Sequence, residues 1–222
     1  MQTNRVQALV IILATALIGG CVNKTPVKMD INSAVPTPVI ERSPVTAGVV
    51  YNKELTDFST KETQQNGATW QIAIGKTNRT ILNDIFKSLF ETVQEFPDAA
   101  SAASAAPPVE FTLVPRIDDY SMLSASDAGG KFWAVSMRHF IDIYGAEGQR
   151  SGTMEINSYG RKRKGPPMSN GVSEIDAATD DAFRDLAVTL IVELPKQLKL
   201  AGLIDGDNNS ASSDEDSAES TP

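Results

Sequence analysis

Apolar residues recur along this 222-residue chain with two periods, and the switch between them predicts most of its elements. A period of two runs through residues 68–74, where Trp70, Ile72 and Ile74 share one face. It returns in residues 109–120, with Val109, Phe111, Leu113 and Ile117 in phase. It is clearest in residues 131–144. There Trp133, Val135, Met137, His139, Ile141 and Ile143 line one face, and Phe132, Ala134, Ser136, Arg138, Phe140, Asp142 and Tyr144 line the other. Residues 149–159 follow as a strand with Met154 and Ile156 inward. Residues 145–148 hold two glycines able to take positive φ, which suits a hairpin connection. Residues 45–51 are β-branched enough for an earlier strand, expected at a sheet edge. Pro115 is expected to mark an edge or a bulge, because proline has no amide to give to a ladder.

A period near 3.6 predicts two helices. In the first, Ile81, Leu82, Ile85, Phe86, Leu89, Phe90, Val93 and Phe96 recur at steps of three and four, Thr77 or Asn78 can cap the start, and Pro97 closes the segment. The broad, phenylalanine-rich stripe is expected to pack on the protein's own sheet rather than to form a lipid-facing groove. In the second, starting near Ser173 or Asp176, the stripe is Phe183, Leu186, Ala187, Leu190, Ile191 and Leu194, and Pro195 is expected to kink or end it.

Connecting segments complete the picture. Residues 54–67 and 121–130 read as turns and loop, 98–108 as a small-residue crossover, and 160–171 as a polar loop. Residues 21–44 carry Pro26, Pro36, Pro38 and Pro44, and read as a tether spanning some tens of Å at about 3.1 Å per residue. Residues 204–222 are Ser, Asp, Asn and Glu in the main and cannot bury enough to fold. The order β-β-α-β-β-β-α over residues 45–203 predicts an α+β two-layer sandwich. Its sheet is mainly antiparallel, of four or five strands, with two helices on one face.

The N-terminus changes the picture from fold to address. Arg5 is the only charge before Cys21, and residues 8–18 form an apolar run of 11. A spanning helix needs about 20, so residues 1–20 read as a signal peptide. At its end, Ile18-Gly19-Gly20-Cys21 resembles the lipobox of bacterial lipoproteins. That resemblance implies cleavage before Cys21, diacylglycerol on its thiol, and acylation of the new N-terminus by a palmitate-like chain. Val22 stands where Asp would mark inner-membrane retention in enteric bacteria, which implies lipid anchoring in the outer membrane with the domain in the periplasm. The alternative is an ordinary signal peptide with an incidental cysteine. Against it, Cys21 is the chain's only cysteine and sits where the motif requires one.

Charge and chemistry narrow the function. The chain carries 20 Lys and Arg against 28 Asp and Glu. Six of the acids, and no base, lie in residues 204–222, so residues 21–203 are near balance at 19 against 22. No global field favours nucleic acid. Catalytic equipment is thin. His139 is the sole histidine, and its apolar phase places it in a core. An enzyme would require His139 to be exposed in a cleft beside an acid. Asp118 and Asp119 point to opposite faces of a strand, and Asp180 and Asp181 fall on a helix's solvent side. Gly129-Gly130 lacks a phosphate loop's spacing and lysine. No enzyme activity, metal site or cofactor is expected. Arg161, Lys162, Arg163 and Lys164 form the one dense cationic run. It is expected in an exposed loop, either simply solvated or contacting anionic lipid, lipopolysaccharide or an acidic partner, the chain's own tail included.

The element order over residues 68–194 also resembles, in topology alone, the periplasmic domains of the lipopolysaccharide-assembly lipoproteins (LptE) and the ABC-transport auxiliary lipoproteins (PqiC). The resemblance implies a non-catalytic accessory or scaffold in an envelope assembly or transport complex. Such a protein would be held to the outer-membrane bilayer through Cys21 and docked on an envelope protein partner. The other reading is a lipid- or lipopolysaccharide-binding lipoprotein that uses residues 161–164.

Overall fold

The computed structural model describes residues 26–31, 33, 40–65, 67–166, 169 and 171–204. The expectations for residues 1–20, Cys21 and most of the acidic tail lie outside the described residues. The chain runs β1 (Val27–Asp30), β2 (Ser43–Val49), α1 (Lys53–Thr56), β3 (Ser59–Thr63), β4 (Thr69–Ala73), α2 (Gly75–Leu89), β5 (Phe90–Glu95), α3 (Ala99–Ala103), β6 (Phe111–Leu123), β7 (Phe132–Gly145), β8 (Arg150–Arg163) and α4 (Val172–Leu200).

The fold is α+β, as the periodicity predicts. Five strands form the main sheet in the order β5-β2-β6-β7-β8. Strands β6, β7 and β8 are an antiparallel meander, and β2 runs parallel to both β5 and β6. A smaller sheet, ordered β1-β4-β3, pairs β1 parallel and β3 antiparallel to β4. Helices α2 and α4 cover the inner face of the main sheet. Asn78 of α2 reaches His139 on β7, and Thr179 of α4 meets Tyr120 on β6. Between these layers Leu82, Phe86, Phe90, Phe111, Leu113, Met137, Ile141 and Phe183 are fully buried. Each such side chain contributes about 1.5–3 kcal/mol by leaving water. Phe90 and Phe111 meet edge to face at 5.2 Å.

Several expectations are corrected. The apolar stripe of the first helix runs past the helix's end. Helix α2 stops at Leu89, Phe90 takes an extended backbone (φ −121°, ψ 147°), and the chain passes directly into β5. Phe90 and Val93 are thus strand residues, and Val93 pairs with Ala47 of β2. Thr77 and Asn78 do not cap α2. It begins after Ile74, and both side chains bond elsewhere: Thr77 to the Ile31 carbonyl, Asn78 to His139. Strand β2 is interior, not an edge, because β5 and β6 flank it. Residues 54–67 and 98–108 contain structure that was expected to be loop, namely α1, β3 and α3. Pro195 lies within α4, which continues to Leu200. Pro115 is tolerated inside β6 because β2 pairs only with Phe111, Thr112 and Leu113 and ends before it; a bulge follows between Ile117 and Asp119. The tether is shorter than 21–44. Residues 27–30 are docked as β1, with Met29 and Ile31 in the core.

Candidate functional site

Some inner polar groups pair with one another, while His139 Nδ1 and Ser158 Oγ are buried without a hydrogen-bond partner. His139 is 1% exposed. Its Nε2 lies 2.9 Å from Asn78 Nδ2 and 3.2 Å from Asn78 Oδ1, so the tautomer decides which amide atom it meets. Burial disfavours the imidazolium and lowers the pKa to about 4. No carboxylate contacts the ring, and the exposed cleft that a general base needs is not where His139 sits. Thr179 gives its hydroxyl proton to the Ile175 carbonyl (2.8 Å), so the Tyr120 hydroxyl donates to Thr179 Oγ1 at 2.9 Å. Burial raises the Tyr120 pKa.

The outer face of the same sheet carries a ladder of ion pairs. Arg138 meets Asp118 at 2.6 Å, and Arg150 and Arg116 flank Asp142 at 2.5 and 3.6 Å. The Arg116 guanidinium also lies 4.0 Å over the Phe140 ring. Burial opposes ionisation of Asp142, but the Thr153 hydroxyl, Arg150 and Arg116 together hold its pKa below the usual range. The two acid pairs are dispersed. Asp118 takes Arg138, while Asp119 sits across the bulge and, after burial, helps raise the Glu62 pKa. Asp180 accepts from Ser33, and Asp181 pairs with Arg184 at 3.3 Å. Among the described residues no three His, Cys, Asp or Glu side chains converge as a metal site.

The cationic run is not in a loop. Arg161, Lys162 and Arg163 are the last residues of β8, opposite Ala134, Trp133 and Phe132 of β7. Strand alternation therefore sends Arg161 and Arg163 to the outer face and Lys162 to the inner one. Arg161 lies 5.4 Å over the Phe132 ring. Lys164 follows the strand, and its amide donates to the Lys131 carbonyl at 3.0 Å. Among the described residues no carboxylate lies within ion-pair distance of these four cations.

Two tryptophans organise this end of the molecule. Trp70 of β4 and Trp133 of β7 meet edge to face at 5.9 Å. Gly171 packs on Trp133, where a Cβ would stand 2.4 Å from the ring, and its φ of +82° also favours glycine. Glu174, in the first turn of α4, accepts from Ser169, Ser173 and the Gly165 amide. The Ser169 hydroxyl is the main reason its pKa lies below the usual range. Strand β1 completes the end, with Val27 beside Trp70 in register. Sequence reading missed this assembly, because β1 is hidden among prolines and its neighbours are set by tertiary pairing.

A cleft of about 530 Å³ opens between Ile31, Phe58, Ser59, Gln71 and the start of α2 at Lys76 and Thr77. Asp57 and Lys76 are the charged residues in its lining. No helix among the described residues is long and apolar enough to cross a membrane.

No protein-family model and no curated protein matches the chain. Its fold is similar to that of a Xanthomonas campestris protein of the DUF330 family, with a TM-score of 0.51 and 8% identity over 79% of this chain and 98% of that one. A Helicobacter pylori protein described as a neuraminyllactose-binding hemagglutinin homolog gives a TM-score of 0.47 and 13% identity, over 78% of this chain and 96% of that one. A Caulobacter crescentus protein described as a lipoprotein gives 0.35 and 12%, over 58% and 80%. At these identities the likeness is one of fold alone.

Proposed function

We propose that the chain is a lipid-anchored envelope protein, attached to the outer membrane through Cys21, whose periplasmic domain serves as a non-catalytic accessory in an assembly or transport complex. The observation that carries this reading is the segment Ile18-Gly19-Gly20-Cys21 behind a short apolar run, placed directly ahead of a folded domain. The domain's internal chemistry supports it. His139 and Tyr120 are enclosed, and the outer-face acids are engaged by arginines, so the groups most suited to acid–base work are occupied by structural partners.

Cross-linking in intact envelopes, followed by purification of the lipidated protein, tests the role. A single envelope protein captured in amounts comparable to this one, and lost when Cys21 is replaced by Ser and the chain is released, is the expected outcome. Purification of the protein alone under several cross-linkers and detergents would contradict the accessory role.

A further inference from the structure

Strand pairing brings the lipid-bearing end of the chain to the cationic end of the main sheet. Val27 stands opposite Trp70, Trp70 touches Trp133, and Trp133 stands opposite Lys162. Residues 21–26 are all that separate Cys21 from β1. Fully extended, six residues reach about 20 Å. An acylated Cys21 would therefore hold this end of the domain within about 20 Å of the bilayer.

That end has the composition of a membrane-facing surface. Arg161, Lys162, Arg163 and Lys164 are exposed and lack ion-pair partners among the described residues, and Lys131 lies beside Lys164. On the outer face Arg161 and Arg163 adjoin apolar and aromatic side chains, while Lys162 lies on the inner face opposite Trp133. Tyr159 is 53% exposed, Leu123 is 47% exposed, and Phe132 lies under Arg161. Cations flanked by aromatic and aliphatic groups suit the headgroup boundary, where charge meets phosphate and the apolar parts meet acyl chains. Three nearby acids have other partners, and one of them, Asp185, accepts from the Tyr159 amide. Glu174 is buried and committed to Ser169, Ser173 and the Gly165 amide, and Asp127 accepts from Ser124.

We infer that residues 161–164, with Lys131, Leu123 and Tyr159, form a second membrane contact that binds the anionic phospholipid surface carrying the anchor and orients the domain with the Trp70–Trp133 pair toward the bilayer. This inference rests on the anchored reading of Cys21 for its geometry, but the surface itself is testable without the lipid. The occupant is the bilayer, not a soluble acidic protein. The short leash permits a contact within reach of the anchor, and unpaired cations complement lipid phosphate.

The test is co-flotation of the mature chain bearing Cys21→Ser. The vesicles are phosphatidylethanolamine with phosphatidylglycerol, compared with phosphatidylcholine alone. The account expects association with the anionic vesicles only, weakened by salt, and reduced by about tenfold or more when Arg161, Lys162, Arg163 and Lys164 are all replaced by Gln. The two vesicle types are compared on the parent chain, so the result stands even if the fourfold variant folds poorly. Equal association with both vesicle types, or equal association of parent and well-folded variant, would overturn the inference. Loss of the lipid from Cys21 is read separately by mass and would overturn the anchor while leaving the vesicle result intact.

Discussion

The main sheet carries two sets of cations, and they differ in what surrounds them. Along its outer face, Arg116, Arg138 and Arg150 each face a carboxylate, and Arg116 also covers Phe140. At its end, Arg161, Lys162, Arg163 and Lys164 face no carboxylate among the described residues. Apart from Lys164, which follows β8, both sets lie on strands of the same meander. The first set is folded into the protein's own charge balance. The second repels itself and, apart from Arg161 over Phe132, has no internal contact for its charge among the described residues, which leaves it free for the membrane contact proposed above. Gly160, the residue before the run, marks the boundary. A Cβ there would lie 1.9 Å from the Ala178 carbonyl of α4, so the helix backbone packs directly on β8 at this point.

That boundary makes the largest prediction. Gly160→Val should destabilise the fold by about 3 kcal/mol or more, because neither α4 nor the sheet can yield backbone space, and denaturant melts would show it. The inner face comes next. The His139 pKa is about 4 in the folded protein, below its ordinary value, so the unfolded chain binds the extra proton in that interval. Its contribution is therefore fully present above about pH 6.5 and is lost as pH falls toward 4, by up to about 3 kcal/mol. Stability measured against pH for the parent and for His139→Asn isolates this slope; the variant should lack it.

The inner face was also the most legible part of the sequence. Alternation in residues 131–144 placed Val135, Met137, His139, Ile141 and Ile143 together, and all five are buried. Alternation works there because one face is dry and the other wet. It failed where that contrast is missing. Strand β3, Ser-Thr-Lys-Glu-Thr, has no apolar residue to alternate. In residues 90–96, Phe90, Val93 and Phe96 satisfy a helical period as an accident of spacing, while Thr92 and Val93 favour extended backbone. The cationic run looked like a loop because four charges in a row carry no apolar phase, yet β7 fixes three of them in a ladder. The candidate site was legible in its residues and not in its position, since Val27, Trp70, Trp133 and Lys162 are joined only through strand register and one aromatic contact.

The outer face gives a smaller effect. Asp142→Asn removes the charge that Arg150 and Arg116 share and should cost about 1 kcal/mol, decreasing with added salt in chemical melts. The smallest effect falls at the end of the sheet. Replacing Arg161, Lys162, Arg163 and Lys164 by Gln should leave stability within about 0.5 kcal/mol of the parent, because these side chains have no internal ion pair to lose. A large loss there would erase the difference between the two sets of cations.

A lipid on residue 21 would give the exposed end of the sheet a bilayer to face. The intact mass of the protein extracted from membranes tests this most directly. The expected species is a chain beginning at Cys21 with a diacylglyceryl group and one further acyl chain attached. A mass corresponding to an unmodified Cys21, whether in the full chain or in one cleaved elsewhere, would contradict it.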